Sequence, residues 1–428
     1  MPLWKVRGGN ELDGCLAVQG SKNAVLPILA ASLVGGGVTR LSGCPRLRDV
    51  DASMEILRHL GCAVMQNRGE ILVDSAGMCE NHIPHALMLR MRSSVMFLGA
   101  ILARCGEVRL SEPGGCELGS RPIDLHLMAL ADLGAEVRQS GGEICCRAAR
   151  LKGAPIHLEF PSVGATENVM LAACAAEGET LLTNAAREPE IVDLQDFLNA
   201  KGASISGAGS PEIRVGGFAA RPFTEHWVLP DRIAAATYLC AAAAAGGDVR
   251  LTQVRPAQVR VVADALRGMG CEVTSGEDEV RLRRHGPLRA GPPVVTKPYP
   301  GFPTDAQALV MAASLRASGT SVFVENIFES RFRHVPELRR LGADIRVEGR
   351  VAMVSGVEKL LGAPVCATDL RGGAAMILAG LSAEGETAVF DSGHIERGYD
   401  GLAENLQRIG ADVERCGSEL PPESSLWL

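Results

Sequence analysis

Residues 337–345 read ELRRLGADI, and residues 405–413 read NLQRIGADV. Each is the end of a charged helix, then a glycine, then the start of a strand. A glycine just past a helix adopts the left-handed conformation that closes the last turn. The alternation of apolar and polar residues after it has the period of a strand. The same pattern stands at ILRHLGCAV (56–64), MALADLGAEV (128–137), FLNAKGASI (197–205) and ALRGMGCEV (265–273). The glycines are Gly61, Gly134, Gly202, Gly270, Gly342 and Gly410, about seventy residues apart. A repeat of this length sets the architecture before any single residue does.

A second element precedes each copy: a run of small apolar residues, a glycine, then a short strand. The copies are AASLVGGGVTRL (30–41), AILARCGEVRL (100–110), AACAAEGETLL (172–182), AAAAAGGDVRL (241–251), AASLRASGTSVF (312–323) and AGLSAEGETAV (379–389). Each unit therefore reads helix, strand, second helix, strand, an α/β class. The first helices are apolar nearly all round, which marks them as buried, and small side chains let their axes approach closely. The second helices carry more charge and should be more exposed. An open solenoid needs polar capping repeats at its ends, and neither end of this chain has one. Two groups of three units, helices inside and sheets outside, fit better. The break between the groups falls near HWVLPDR, residues 226–232.

The chain has 428 residues, enough for two large domains. Apolar residues make up 46% and charged residues 22%, the balance of a soluble globular protein. A net charge of −7 and 4% aromatics exclude general nucleic-acid binding as the main activity. The 13 cysteines show no CxxC pair and no Cys/His ligand spacing, which points to a reducing cytoplasm and away from a disulfide framework or metal site. The N-terminus lacks a signal-peptide pattern. The longest apolar run, 233–245, is too short to span a bilayer. No pattern speaks for a particular oligomeric state.

Candidate chemistry concentrates in a few places. Just ahead of each second helix stands an arginine: Arg48, Arg121, Arg187, Arg255, Arg331 and Arg397. Cations oppose the macrodipole there, so a shared role in anion binding is one reading and bridging between units is the other. First helices open with Lys22, Asp231, Asp305 and Asp369. N-capping suffices to explain the three aspartates. Lys22 has no capping role, and it either reaches a phosphate or is a solvated surface residue. Cys116 lies in EPGGCELGSRP (112–122), among glycines and five residues before Arg121. It is either an inert small side chain or an accessible thiol activated by a nearby cation.

The motifs GSKNAVLPILAASL, GGCELGSRPIDLH, PSVGATENVMLAA, LPDRIAAATYL, FPTDAQA, ENIFESRFRHVPEL, ATDLRGGAAMILAG and HIERGYDGL resemble, in order, those of the UDP-N-acetylglucosamine enolpyruvyl transferase family, within the EPSP synthase-like superfamily. The resemblance runs from about Lys5 to Val413. It implies two inside-out α/β barrels of three repeats each, joined by a double hinge. The N-terminal segment belongs with the second barrel. The expected domains are therefore 22–229, and 1–21 with 230–428, with a loose tail from about 417.

The implied reaction transfers enolpyruvyl from phosphoenolpyruvate to the 3′-hydroxyl of UDP-N-acetylglucosamine, releasing phosphate at the first committed step of peptidoglycan synthesis. By the same resemblance, Cys116 protonates the enolpyruvyl methylene and forms a phosphoenolpyruvate adduct. Lys22, Arg121 and Arg397 surround phosphoenolpyruvate. Asn23 and Asp305 lie near the reacting hydroxyl, with Asp305 as base. Arg92, Arg121, Pro122, Ile123, Asp124, Leu125, Ser162, Val163, Gly164, Ile327 and Phe328 contact the sugar nucleotide, and Arg331, Asp369 and Arg371 match further positions of the family pattern. No metal or organic cofactor is implied. The shikimate 3-phosphate branch has GSKS at the first lysine and no loop cysteine. A silent nucleotide-sugar binding protein would have no use for Lys22, Cys116, Asp305 and Arg397 together. A redox-sensing thiol protein leaves the cations and the repeats unexplained.

Overall fold

The computed structural model describes residues 2–111 and 123–417, apart from the side chain of Arg92. The loop 112–122, which holds Cys116, Arg121 and Pro122, and the tail 418–428 lie outside the described residues.

All six signature glycines have positive φ, between 89° and 115°, as a left-handed helix end requires. The sequence expectation of one strand after each second helix falls short of what forms in five of the six units; in the last, the single strand Asp412–Cys416 follows. In the first unit, strand Val38–Ser42 is followed by helix Arg48–His59 and then by a hairpin, Ala63–Asn67 with Glu70–Asp74. The tight turn at Arg68–Gly69, with φ of 41° and 85°, divides what looks in sequence like one strand. Each of the first five units thus supplies an antiparallel core of three strands, the last unit borrows Leu3–Arg7 to complete its own, and in every four-stranded sheet a further strand adds in parallel at the edge. The described residues hold six four-stranded sheets of this kind.

The first helices are buried almost throughout: Lys22–Ala31, Phe97–Cys105, Val163–Ala173, Arg232–Ala245, Thr304–Ser314 and Leu370–Leu381. The last three pack against one another, as their alanines and glycines permit. Apolar burial falls into two separate cores. One contains residues from Ala24 to Leu229; the other contains Trp4 to Val18 together with Ile233 to Val413. Strand Leu3–Arg7 lies between Glu386–Phe390 and Asp412–Cys416, so both ends of the described chain meet in one sheet. Strand Leu12–Ala17 pairs with Gly247–Thr252. Strand Phe223–Trp227 returns to pair with Val38–Ser42, at the other end of the first core's sequence.

Two strands of chain cross between the cores side by side. Ser21 N–H donates to Leu229 O at 2.7 Å, and Asp231 N–H donates to Gln19 O at 2.8 Å. Gly20 bridges Pro230 between them. A Cβ at Gly20 would stand 1.9 Å from the Gly43 carbonyl oxygen, so only glycine fits this crossing.

Candidate active site

Lys22 is the first residue of its helix, behind Ser21 as N-cap. It is not a solvated surface residue: its side chain is 13% exposed and its Nζ lies 2.9 Å from Asp49 Oδ2. Arg397 reaches the same carboxylate from the second core, with Nε 2.8 Å from Oδ1 and Nη2 3.4 Å from Oδ2. Asn23 follows Lys22 in the first turn. The Lys22 backbone N–H donates to Asp231 Oδ2 at 3.2 Å. Asp231 also caps the helix Arg232–Ala245, accepting from the N–H groups of Ile233 and Ala234.

Asp305 corrects the capping expectation. Its helix begins at Thr304 behind Pro303, so Asp305 sits inside the first turn and caps nothing. Its carboxylate instead accepts from Arg331 Nη2 at 3.4 Å and Arg371 Nη2 at 3.2 Å. Both arginine side chains are 2% exposed, whereas Asp305 is 31% exposed. Arg331 also donates to Thr304 O and lies 3.5 Å from Asp369. Asp369 does cap its helix, accepting from Arg371 and Gly372 N–H. Burial pushes the Asp369 carboxyl up, but Arg331 and the capping N–H groups outweigh it and hold it below the ordinary range. Arg371 feels both Asp305 and Asp231, which links this cluster to the Lys22 helix. The result is a partly exposed carboxylate held in place by two buried arginines.

The segments expected to contact a sugar nucleotide occupy three neighbouring places. Arg92 begins a short 3-10 helix that leads into Phe97–Cys105. Ile123 is the residue before helix Asp124–Asp132, which includes Leu125. Ser162 caps Val163–Ala173 through Ala165 N–H. These starts are tied together from beneath by two residues that the sequence reading did not single out. Asn168 accepts from Gly99 N–H at 2.6 Å and donates to Val95 O at 3.1 Å. Its amide also lies 2.7 Å from His126 Nδ1. The His126 ring explains Gly164, where a Cβ would meet ring carbon Cε1 at 2.9 Å.

Burial lowers the His126 imidazole to about 4. Its unfolded value is 6.5, so the stability it contributes is full above that pH and is lost as the pH falls toward 4. Replacing Asn168 by alanine strands Gly99 N–H and His126 Nδ1 in the core and takes one partner from Val95 C=O. A loss of about 1–3 kcal/mol is expected for the buried unpaired groups, read from urea unfolding midpoints. An unchanged midpoint would mean that the network carries no stability.

Ile327 and Phe328 are held by another residue that the sequence reading passed over. Glu325, 1% exposed, accepts from their N–H groups at 2.8 and 3.0 Å. Its second oxygen takes the Thr304 hydroxyl at 3.0 Å, fixing this loop to the turn that carries Asp305. The two cores also meet through Arg232 and Glu190, both buried and 3.0 Å apart.

The six arginines do not share one role. Arg331 and Arg397 enter the clusters described above, and Arg48 pairs with Glu396 across the cores at 2.9 Å. Arg187 and Arg255 are exposed. Cys116, Arg121 and Pro122 lie outside the described residues.

A family model for EPSP synthase (3-phosphoshikimate 1-carboxyvinyltransferase) matches residues 6–406. UDP-N-acetylglucosamine 1-carboxyvinyltransferase 2 of Caldanaerobacter subterraneus subsp. tengcongensis is 47% identical over 415 residues, covering 97% of this chain and all of that protein. UDP-N-acetylglucosamine 1-carboxyvinyltransferase of Nitratidesulfovibrio vulgaris is 47% identical over 411 residues, covering 96% and 98%. The chain belongs to the UDP-N-acetylglucosamine 1-carboxyvinyltransferase family. Among solved structures, the enolpyruvyl transferase NikO from Streptomyces tendae superposes with a TM-score of 0.87 at 27% identity, covering 98% of this chain and 99% of that one. EPSP synthase from Acinetobacter baumannii shares the fold, with a TM-score of 0.73 at 20% identity. The two α/β domains of repeated units are thus those of the enolpyruvyl transferases.

Proposed function

We propose that this chain transfers the enolpyruvyl group of phosphoenolpyruvate to the 3′-hydroxyl of UDP-N-acetylglucosamine, releasing phosphate. The observation that carries the reading is the near full-length identity to 1-carboxyvinyltransferases named for that acceptor. The cross-core meeting of Lys22 and Arg397 supports it, since this pair is what a small multiply charged anion needs. A domain division at 22–229, and 1–21 with 230–428, accords with the two apolar cores and the paired crossing at Gly20 and Pro230. The product is a precursor for peptidoglycan. A cytoplasmic location agrees with the free state of all described cysteines. No described helix is long and apolar enough to cross a membrane.

The chemistry follows from the groups. The sugar oxygen adds to C2 of phosphoenolpyruvate and gives its proton to Asp305. The Cys116 thiol gives a proton to C3, which becomes a methyl group. Charge develops at C2 as C3 is protonated, and an acid with a pKa near neutrality is efficient there. Elimination then returns a proton from the methyl group to the Cys116 thiolate and breaks the C2–O bond to phosphate, forming the enol ether on the sugar oxygen, while Asp305 loses its proton to solvent. Lys22, Arg121 and Arg397 hold the phosphate and carboxylate in attack geometry. Arg92, Ile123 to Leu125, Ser162 to Gly164, Ile327 and Phe328 hold the nucleotide sugar. Arg331, Asp369 and Arg371 orient Asp305.

Phosphate release from phosphoenolpyruvate tests the acceptor. It should occur with UDP-N-acetylglucosamine and be absent with shikimate 3-phosphate. Release with the second acceptor alone would move the chain to the shikimate branch, and release with neither would leave a binding protein.

A further inference from the structure

Asp49 is buried, at 1% side-chain exposure, where the two cores meet. Its oxygens face Lys22 Nζ at 2.9 Å and Arg397 Nε at 2.8 Å, one cation from each core. It stands in the first turn of helix Arg48–His59, where a carboxylate is favoured by the helix dipole. Burial pushes its carboxyl up, but Lys22 and Arg397 outweigh this and hold it below the ordinary range. The carboxylate is thus ionised at neutral pH, and its two lone-pair directions set the spacing of the two cations. The same seam is braced by Arg48 with Glu396 at 2.9 Å and by Arg46 N–H donating to Asp400 at 2.9 Å.

We propose that Asp49 is a positioning residue for phosphoenolpyruvate, holding Lys22 and Arg397 as a preorganised cation pair assembled from both domains. This rests on the reading that those two cations bind phosphoenolpyruvate. Asp49 touches no reacting atom; it acts through the two head groups. Without it the cations repel each other, and the anion must gather them as it binds. A misplacement of about an ångström at such a clamp costs on the order of 10²-fold.

The test is steady-state kinetics on Asp49→Asn, Asp49→Glu and Arg48→Ala, with UDP-N-acetylglucosamine affinity measured by calorimetry. Asp49→Asn should raise the KM for phosphoenolpyruvate about 10–100-fold while the sugar-nucleotide Kd moves less than about twofold. Asp49→Glu keeps the charge and should raise KM less. Arg48→Ala breaks only the neighbouring seam pair and should leave KM within about threefold of wild type. A KM for phosphoenolpyruvate unchanged in Asp49→Asn, with only a lower melting temperature, overturns the proposal. An equal rise in Arg48→Ala also overturns it, because loosening the seam would then suffice. A wild-type enzyme that releases no phosphate with UDP-N-acetylglucosamine would instead defeat the functional reading on which the proposal rests.

Discussion

Cys116→Ser is expected to lower kcat by about 10²–10⁴-fold, the usual contribution of a positioned general acid. A hydroxyl is a far weaker acid than a thiol at neutral pH. Cys116→Asp keeps an acid at the same place and should retain turnover. The two variants separate proton donation from any purely structural role of the loop, which would be disturbed by both. The resemblance also implies alkylation of this cysteine by the epoxide fosfomycin, so Cys116→Asp should lose time-dependent inactivation. The competing thiols are weaker nucleophiles or lack the cations. Burial raises Cys44 and Cys146 to about 12, leaving almost no thiolate. Cys15 and Cys79 are exposed but stand outside the Lys22–Arg397 cluster. Peptide mass mapping after one equivalent of epoxide should find the label on Cys116. Label on Cys79 with Cys116 unmodified would remove Cys116 from the catalytic assignment.

Asp305→Asn should be the other large effect. The side chain keeps its volume and loses its ability to take the hydroxyl proton, so kcat should fall by about 10²–10⁴-fold with the KM values little changed. It also removes the charge that faces Arg331 and Arg371. Breaking a fully buried pair costs about 3–5 kcal/mol, but Asp305 is 31% exposed, so the loss of stability should be smaller. Steady-state rates on the folded enzyme, with a melting curve beside them, separate the two effects. A normal kcat with a raised KM for the sugar nucleotide would make Asp305 a binding group and leave the base unassigned.

Much of the architecture was legible because it is repeated. The Gly-Ala and Gly-Cys turns report a backbone conformation, and a left-handed helix end looks the same in every copy. In the first unit the hairpin after the second helix is hidden because its turn at Arg68–Gly69 carries no strong breaker ahead of the glycine. Lys22 and Asp369 were legible by position at helix starts. Sequence places Asp305 at a cap, but its helix starts one residue earlier, and that one residue changes its partners from backbone N–H groups to two guanidiniums. Asp49, Asn168 and Glu325 are not legible in the sequence for a different reason. Each is polar in a helix or at a strand end, where sequence expects a solvated side chain, and only tertiary packing shows that each is buried and fully engaged. Periodicity flags Asp49 only weakly: the residue after the arginine is a carboxylate again in the third copy, Glu188, but proline in the second and fourth, phenylalanine in the fifth and glycine in the last.

The central claim is that carbon, and not phosphorus, is attacked. Phosphoenolpyruvate labelled with heavy oxygen at the C2–O–P bridge, incubated with UDP-N-acetylglucosamine, tests it in one measurement. Addition at C2 followed by elimination breaks the C–O bond, so mass spectrometry should find the label in inorganic phosphate and an unlabelled enolpyruvyl ether on the sugar. Label retained on a pyruvyl carbon, with a phosphorylated sugar as product, would contradict enolpyruvyl transfer.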